Sequence, residues 1–269
     1  MKWMCARLEV SRSGFYAWLK RPCSRHEERD RSLERQIVEH FEESNGVYGS
    51  PRIHALLRRR GERVGRKRVA RLMRGLRLKA RANRIYKRLP GAITCRLGIP
   101  NQARERPVTA PNQVWRGDVT YLKVGGAWRY LAVVIDQYSR RLVGHELSVN
   151  RTSDLTVAAL RRALDARKPS PGLVFHSDRG SEYGGYLYRD RLAKSGIVQS
   201  MNRPKVMNDN AHVESFFRSL KAEALHGRSF RTSAELDATV RRYISRYNRT
   251  RVHSSLGYRS PIDYERANA

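Results

Sequence analysis

The chain is poor in cysteine, in acid and in long apolar runs, and each shortage removes a class of protein. Its 269 residues include three cysteines, Cys5, Cys23 and Cys95. They are odd in number and far apart, so they give neither a disulfide framework nor a zinc spacing, and they suit a reducing cytoplasm. The longest unbroken aliphatic stretch is Leu131–Ile135. A bilayer span needs about 20 apolar residues, so no membrane partner is expected. The first residues, Met1 to Arg7, carry no secretory apolar segment. No phosphate-loop glycine pattern is present, which argues against ATP use. Ser177 lacks a nucleophile-elbow context, which argues against serine catalysis. Acid is the telling shortage: 25 Asp+Glu face 55 Lys+Arg, a formal net charge of +30. Such self-repulsion calls for a polyanionic partner and sets aside an ordinary metabolic enzyme.

The basic excess is steepest early. Residues 1–106 hold 28 Lys+Arg against 10 Asp+Glu, and residues 107–269 hold 27 against 15. Residues 1–30 read as a small helix–turn–helix-like segment, with Ser11-Arg12-Ser13-Gly14 leading into Phe15-Tyr16-Ala17-Trp18-Leu19. Residues 31–88 read as a helix-turn-helix DNA-binding region. There Ile53, Leu56 and Leu57 share one helical face, and Gly61 and Gly65 bracket a turn. Val69, Leu72, Met73 and Leu76 then follow at helical spacing. Arg66, Lys67, Arg68, Arg71 and Arg74 surround that last stripe and are the candidate DNA contacts. A solvated basic helix in a bundle is the plainer alternative. Residues 89–111, with Pro90, Pro100, Pro107 and Pro111, read as a linker.

Residues 112–228 alternate strands and helices. Strands are expected at Val114–Leu122, Trp128–Asp136, Arg141–Val149, Leu173–His176 and Ile197–Ser200, with a glycine turn at Gly125-Gly126. Helices are expected over Thr152–Arg167, over Tyr186–Lys194 and from an Asp209 or Asn210 cap to Ala224. This is an α/β plan of the ribonuclease H kind: a mixed five-stranded sheet with helices on both faces, preceded by an all-α region. Residues 229–269 read as a C-terminal helix and basic tail. In its Tyr243–Arg251 stretch, core packing and DNA contact are equally expected. Trp115, Trp128 and Tyr130 are expected in the core.

Because acids are scarce, those in apolar surroundings stand out. Asp118 interrupts an apolar strand, Asp178 follows the buried run Leu173–His176, and Glu214 lies one turn into a helix. At 100° per residue Glu214, Arg218 and Lys221 share one edge of that helix. Hard carboxylate oxygens suit Mg²⁺, and two such ions about 4 Å apart can serve phosphodiester chemistry. Arg218 and Lys221 would then hold the DNA backbone. Asp136 is expected to pair with Arg140 or Arg141, Glu182 to be a loop acid, His176 to be buried and hydrogen-bonded, and Asp209 and Asn210 to organise a cap.

Three segments carry a resemblance. Trp115-Arg116-Gly117-Asp118-Val119-Thr120-Tyr121, His176-Ser177-Asp178-Arg179-Gly180-Ser181-Glu182-Tyr183 and Asp209-Asn210-Ala211-His212-Val213-Glu214-Ser215-Phe216-Phe217 resemble the blocks of a DDE transposase/integrase core, with 35 residues between Asp178 and Glu214. Tyr48-Gly49-Ser50-Pro51-Arg52-Ile53, Trp128–Asp136 and Tyr247–His253 match as well, so the likeness covers nearly the whole chain. The chain is similar to the second-reading-frame product of two-frame bacterial insertion-sequence transposases, with a retroviral-integrase-like catalytic core. The resemblance implies that Asp118, Asp178 and Glu214 are the catalytic residues and ligands of two Mg²⁺ ions, with Mn²⁺ as a substitute. It implies cleavage at transposon ends and 3′-hydroxyl strand transfer into target DNA. It also implies a homo-multimer, a bacterial cytoplasmic, nucleoid-associated location and a first-frame partner or fusion, since no leucine heptad is present. The competing expectations are a DNA-binding regulator and a structure-specific nuclease without strand transfer.

Overall fold

The computed structural model describes residues 1–20, 24–81, 97–104, 106–204 and 208–268, in two units, residues 1–80 and 81–269. Cys23, Cys95 and much of the expected linker lie outside the described residues.

The first unit is helical: α1 (Lys2–Arg7), α2 (Arg12–Leu19), α3 (Arg25–Glu43), α4 (Ser50–Arg59) and α5 (Arg66–Gly75). Ser11 caps α2 by accepting the Gly14 N–H, so most of the expected turn is the helix's own first turn. Ser24 and Glu27 cap each other's backbone at the start of α3, leaving fewer orphan donors there. Helix α3 then runs unbroken past residues 30 and 31. It packs with α4 and α5 around Leu33, Ile37, Ile53, Leu57, Val69, Leu72 and Met73, all buried. Gly61, at φ +90°, supplies the left-handed residue that ends α4.

The second unit is built on β1 (Val114–Val124), β2 (Ala127–Asp136), β3 (Leu142–Ser148), β4 (Val174–Ser177) and β5 (Val198–Met201), interleaved with α6 (Ser153–Arg167), α7 (Ser181–Gly184) and α8 (Tyr186–Lys194). Helices α9 (Ala211–Leu220), α10 (Ser233–Arg249) and α11 (Pro261–Ala267) follow. The sheet order is β3-β2-β1-β4-β5. The first three strands are antiparallel neighbours, and β4 and β5 run parallel to β1. Strand β2 explains why both faces are covered, since its alternate side chains are all apolar. Leu131, Val133 and Ile135 pack with α9 and α10, while Ala132 and Val134 pack with α6 and α8. The result is the expected mixed five-stranded sheet with helices on both faces. Gly144 lets α6 approach closely, because a Cβ there would run into the Ala159 backbone carbonyl.

Several local expectations change. Trp128 is 44% exposed rather than core, and its ring meets Tyr121 edge-on at 5.2 Å. It opens β2, beyond the part of that strand that both helical layers cover. The helix expected to reach Ala224 does so, but after Leu220 α9 passes into a π turn, Lys221–Leu225. That turn places the Glu223 side chain, 2% exposed, against Arg246 at 2.8 Å and Arg251 at 2.7 Å. Tyr243, Ile244, Tyr247 and Arg251 are buried, so Tyr243–Arg251 is packed core with Arg249 at its exposed end.

Candidate active site and basic surface

Strands β1 and β4 bring two of the candidate acids onto neighbouring backbones. Their parallel register pairs Val114 with Val174, Trp115 with Phe175 and Arg116 with His176. Asp118 lies two residues beyond the last of these pairs on β1, and Asp178 directly follows the end of β4 at Ser177. Asp118 accepts the Val119 N–H at 2.8 Å, and Asp178 accepts the Gly180 N–H at 2.9 Å. Both carboxylates act electrostatically on the same two groups, the Arg151 guanidinium and the Tyr183 phenol. Burial above all, then the neighbouring Tyr188 and these charges, push the Tyr183 phenol well above its ordinary range.

Helix α9, which carries Glu214, packs against β1. Asn210 precedes that helix but does not cap it; its side-chain amide donates instead to the Gly117 carbonyl at 2.9 Å. That bond ties the start of α9 to the residue before Asp118, and Glu214 lies one turn further on. Among the described residues no three His, Cys, Asp or Glu side chains gather closely enough to hold a metal ion. Lys221 places its ammonium 4.8 Å from the Tyr121 ring centre. Burial lowers its pKa against the opposing pull of Asp118. Arg218 is exposed on the same helix.

The remaining polar residues hold this end of the sheet in place. His176 is fully buried between Ser200 Oγ at 2.9 Å and Asn202 Oδ1 at 2.8 Å. Burial, then the charge of Arg116, push its pKa down to about 4. Arg116 itself donates to the Asp209 carbonyl and to Gln137. Burial, then Arg140, lower its pKa to about 10. Asp209 is clasped by Arg203 at 3.0 Å and by Asn101 at 2.9 Å, which hold its carboxyl far below the usual range. A strap, residues 97–103, runs beside β5, with the Met201 N–H donating to the Pro100 carbonyl. Gln102 N–H donates to Ser200 Oγ. Arg179, next to Asp178, donates to the carbonyls of Leu97, Ile99 and Asn202 at 2.6, 3.0 and 2.8 Å.

Two acids differ from expectation. Asp136 is fully buried and accepts N–H groups from Asn112, Tyr138 and Ser139. Its cation is Arg167 at 3.8 Å rather than Arg140 or Arg141, because α6 packs over that end of β2. Glu182 is no solvent-facing loop acid. Its side chain is 2% exposed and pairs with Arg151 at 2.7 Å. Sequence reasoning missed Arg151 because no local pattern links it to an acid 31 residues away. In the helical unit, Arg68 and Arg71 each pair with Asp30 at 2.7 Å, Arg68 half-buried and Arg71 exposed, whereas Arg66, Lys67 and Arg74 are exposed with no acidic partner among the described residues.

With this geometry in place, comparison with known proteins decides the family. An integrase core domain family matches residues 108–206, and a second integrase core domain family matches 195–261. An HTH-like domain family matches residues 27–86. The chain is 37% identical over 276 residues to the transposase InsF for insertion sequence IS3A of Escherichia coli strain K12, covering 100% of this chain and 94% of that one. The chain belongs to the insertion-sequence transposases. It is also 38% identical to a 31 kDa protein of insertion element IS600 from Shigella sonnei, covering 97% of each. The IS904 transposase of Lactococcus lactis is 37% identical, covering 93% of this chain and 99% of that one. The family matches make the transposase an enzyme of the integrase-core class, and nothing among these relatives favours a regulator or a joining-deficient nuclease. Among solved structures, the transposase resembles the HTLV-2 integrase catalytic core domain in complex with magnesium. That match has 18% identity and a TM-score of 0.47, over 58% of this chain and 97% of that one. No helix of the transposase's described residues is long and apolar enough to cross a membrane.

Proposed function

We propose that the transposase cuts DNA at the ends of its element and joins the freed 3′-hydroxyl to target DNA, using Asp118, Asp178 and Glu214 as one metal-holding set. The observation that supports this reading is that β1 and β4 are parallel neighbours, with Asp118 on β1 two residues past the last pair and Asp178 directly after β4. The donors suit the ion: carboxylate oxygens are the hard ligands Mg²⁺ takes, with Asp118 on β1, Asp178 directly after β4 and Glu214 on α9. Asp118 and Asp178 would hold it with Glu214 from α9, and Mn²⁺, also served by oxygen donors, is expected to substitute. Bound divalent ions, two in this reading, lower the pKa of an attacking water or hydroxyl and neutralise charge on the leaving oxygen.

The chain's own groups do the rest. Water attacks a phosphodiester at the element end and releases a 3′-oxygen as a hydroxyl. That hydroxyl then attacks a target phosphorus in line, and the target strand's own 3′-oxygen leaves with a proton. Lys221 and Arg218 on the α9 edge offer cations to the backbone. In the helical unit Arg66, Lys67 and Arg74 are the exposed candidates for contacting the ends, with Arg68 and Arg71 held back by Asp30. Cleaving and joining two ends calls for more than one copy, together with a first-frame partner or fusion, in the bacterial cytoplasm at the nucleoid.

The test incubates purified protein with candidate end oligonucleotides, with and without Mg²⁺, and scores joined products. Asp118→Asn, Asp178→Asn and Glu214→Gln should each abolish joining and leave DNA binding intact. Near-wild-type joining by any one of the three would remove that residue from the set.

A further inference from the structure

The Arg151–Glu182 pair stands beside the acids without belonging to them. Arg151 lies between β3 and α6, and its Nε and Nη2 both donate to Glu182 Oε1, at 2.9 and 2.7 Å. Glu182 is folded back into the loop that carries Asp178. A side chain on Gly180 would meet the Glu182 carboxylate at 2.7 Å, so glycine leaves the room the carboxylate takes. The same Gly180 donates its N–H to Asp178. Ser153 and Thr156 donate their hydroxyls to the Glu182 carbonyl, which knits the start of α6 to the loop. Glu182 Oε2 is buried and, among the described residues, has no hydrogen-bond partner.

Packing alone does not explain this arrangement. A buried ion pair adds little stability over a well-packed apolar pair of similar volume. Here it also concentrates a third carboxylate beside Asp118 and Asp178, which a DNA phosphate would avoid. Burial works against the Arg151 charge, but the Glu182 hydrogen bond and charge, then those of Asp178 and Asp118, outweigh it and hold its pKa above the ordinary value. The side chain nevertheless keeps 30% of its surface in solvent. Arginine carries five N–H donors in a planar fork that matches phosphate oxygens. One edge is committed to Glu182, and the other remains for an anion.

We propose that Arg151 is a phosphate anchor. With Glu182 fixing its inner edge, its outer edge binds a non-bridging oxygen of the DNA backbone phosphate lying against Asp118 and Asp178. This rests on the assignment of those acids to the reaction. Glu182 acts through Arg151, as a positioning residue that keeps the fork turned toward the strand.

The experiment uses the full chain and an end oligonucleotide, and it measures affinity against salt, kcat and KM for joining, and melting temperature. The Arg151→Gln/Glu182→Gln double variant removes both charges, so it strands no buried carboxylate. It should raise KM for DNA about tenfold, the loss of one charge-assisted hydrogen bond, and shrink the log–log salt slope by about 0.9. Arg151→Lys should keep the slope, because the charge stays, and lower the rate, because the fork is lost. An unchanged slope and KM alongside a lower melting temperature would make the pair purely structural and overturn the anchor. Asp118→Asn is run in parallel. If it abolishes joining while the Arg151 variants bind and join normally, only the anchor fails; if Asp118→Asn itself joins DNA, the assignment beneath both readings fails.

Discussion

At the scale of single residues, close packing beside the acids makes glycine essential. A Cβ on Gly117 would fall 2.5 Å from the Phe175 ring and 3.2 Å from the Tyr183 hydroxyl, both buried. Gly117→Ala should therefore cost roughly 1–3 kcal/mol, the range for overpacking a core. A lowered urea midpoint would show it, and Phe175→Leu should recover part of the loss; an unchanged midpoint would mean that the ring gives way. Buried histidines set a second expectation. His145 and His176 are both pushed down to about 4, first by burial and then by neighbouring arginines. In the unfolded chain each titrates near 6.5, so between those values the unfolded state binds protons the folded state refuses. Their contribution is fully present above about pH 6.5 and is lost as the pH falls toward 4, by up to about 3 kcal/mol each. Urea titrations at pH 7.5 and 4.5 should show the drop, and His145→Gln should shrink it. These residues also mark where reading the sequence works. The burial of His176 was legible from the apolar run that holds it, whereas the pairings of Arg151 and Glu265 were not, since an arginine or glutamate in a polar stretch carries no sign of a distant partner.

At the scale of elements, the strands were legible to within a residue or two at most ends, because alternating or continuous apolar runs follow the sheet's two buried faces. The strap over residues 97–103 was not. Its hydrogen bonds come from β5 and from Arg179, 80 residues away in the case of Ile99, and composition suggested only a linker. The π turn after α9 was hidden for a related reason: its cause, Glu223 meeting Arg246 and Arg251, is tertiary. Arg179→Ala would leave three carbonyls without their shared donor. It should speed amide exchange over residues 97–103 and 199–202 and cost about 1–3 kcal/mol. Exchange that stays at the wild-type rate would show that the strap is held without it.

At the scale of the whole molecule, the +30 charge is divided between cations already spoken for and cations still open. In the helical unit Asp30 holds Arg68 and Arg71, each at 2.7 Å. Alanine at Arg66, Lys67 or Arg74 should therefore weaken DNA binding and reduce its salt slope by about 0.9 for each phosphate no longer neutralised. Alanine at Arg68 or Arg71 should instead lower the melting temperature of that unit. The reverse pattern, read by fluorescence anisotropy across a salt series, would place the DNA on the Asp30 side.

Helix α11 has a genetic consequence. Its Glu265 receives Arg141 at 2.6 Å, Arg167 at 2.9 Å and Ser139 at 2.7 Å, and Arg167 also faces the buried Asp136. A nonsense mutation just upstream of codon 265 would spare Asp118, Asp178 and Glu214 yet strip Arg141 and Arg167 of their shared counter-ion. Copies of the element that have lost only their last few codons should therefore be immobile relics, even with Asp118, Asp178 and Glu214 unchanged.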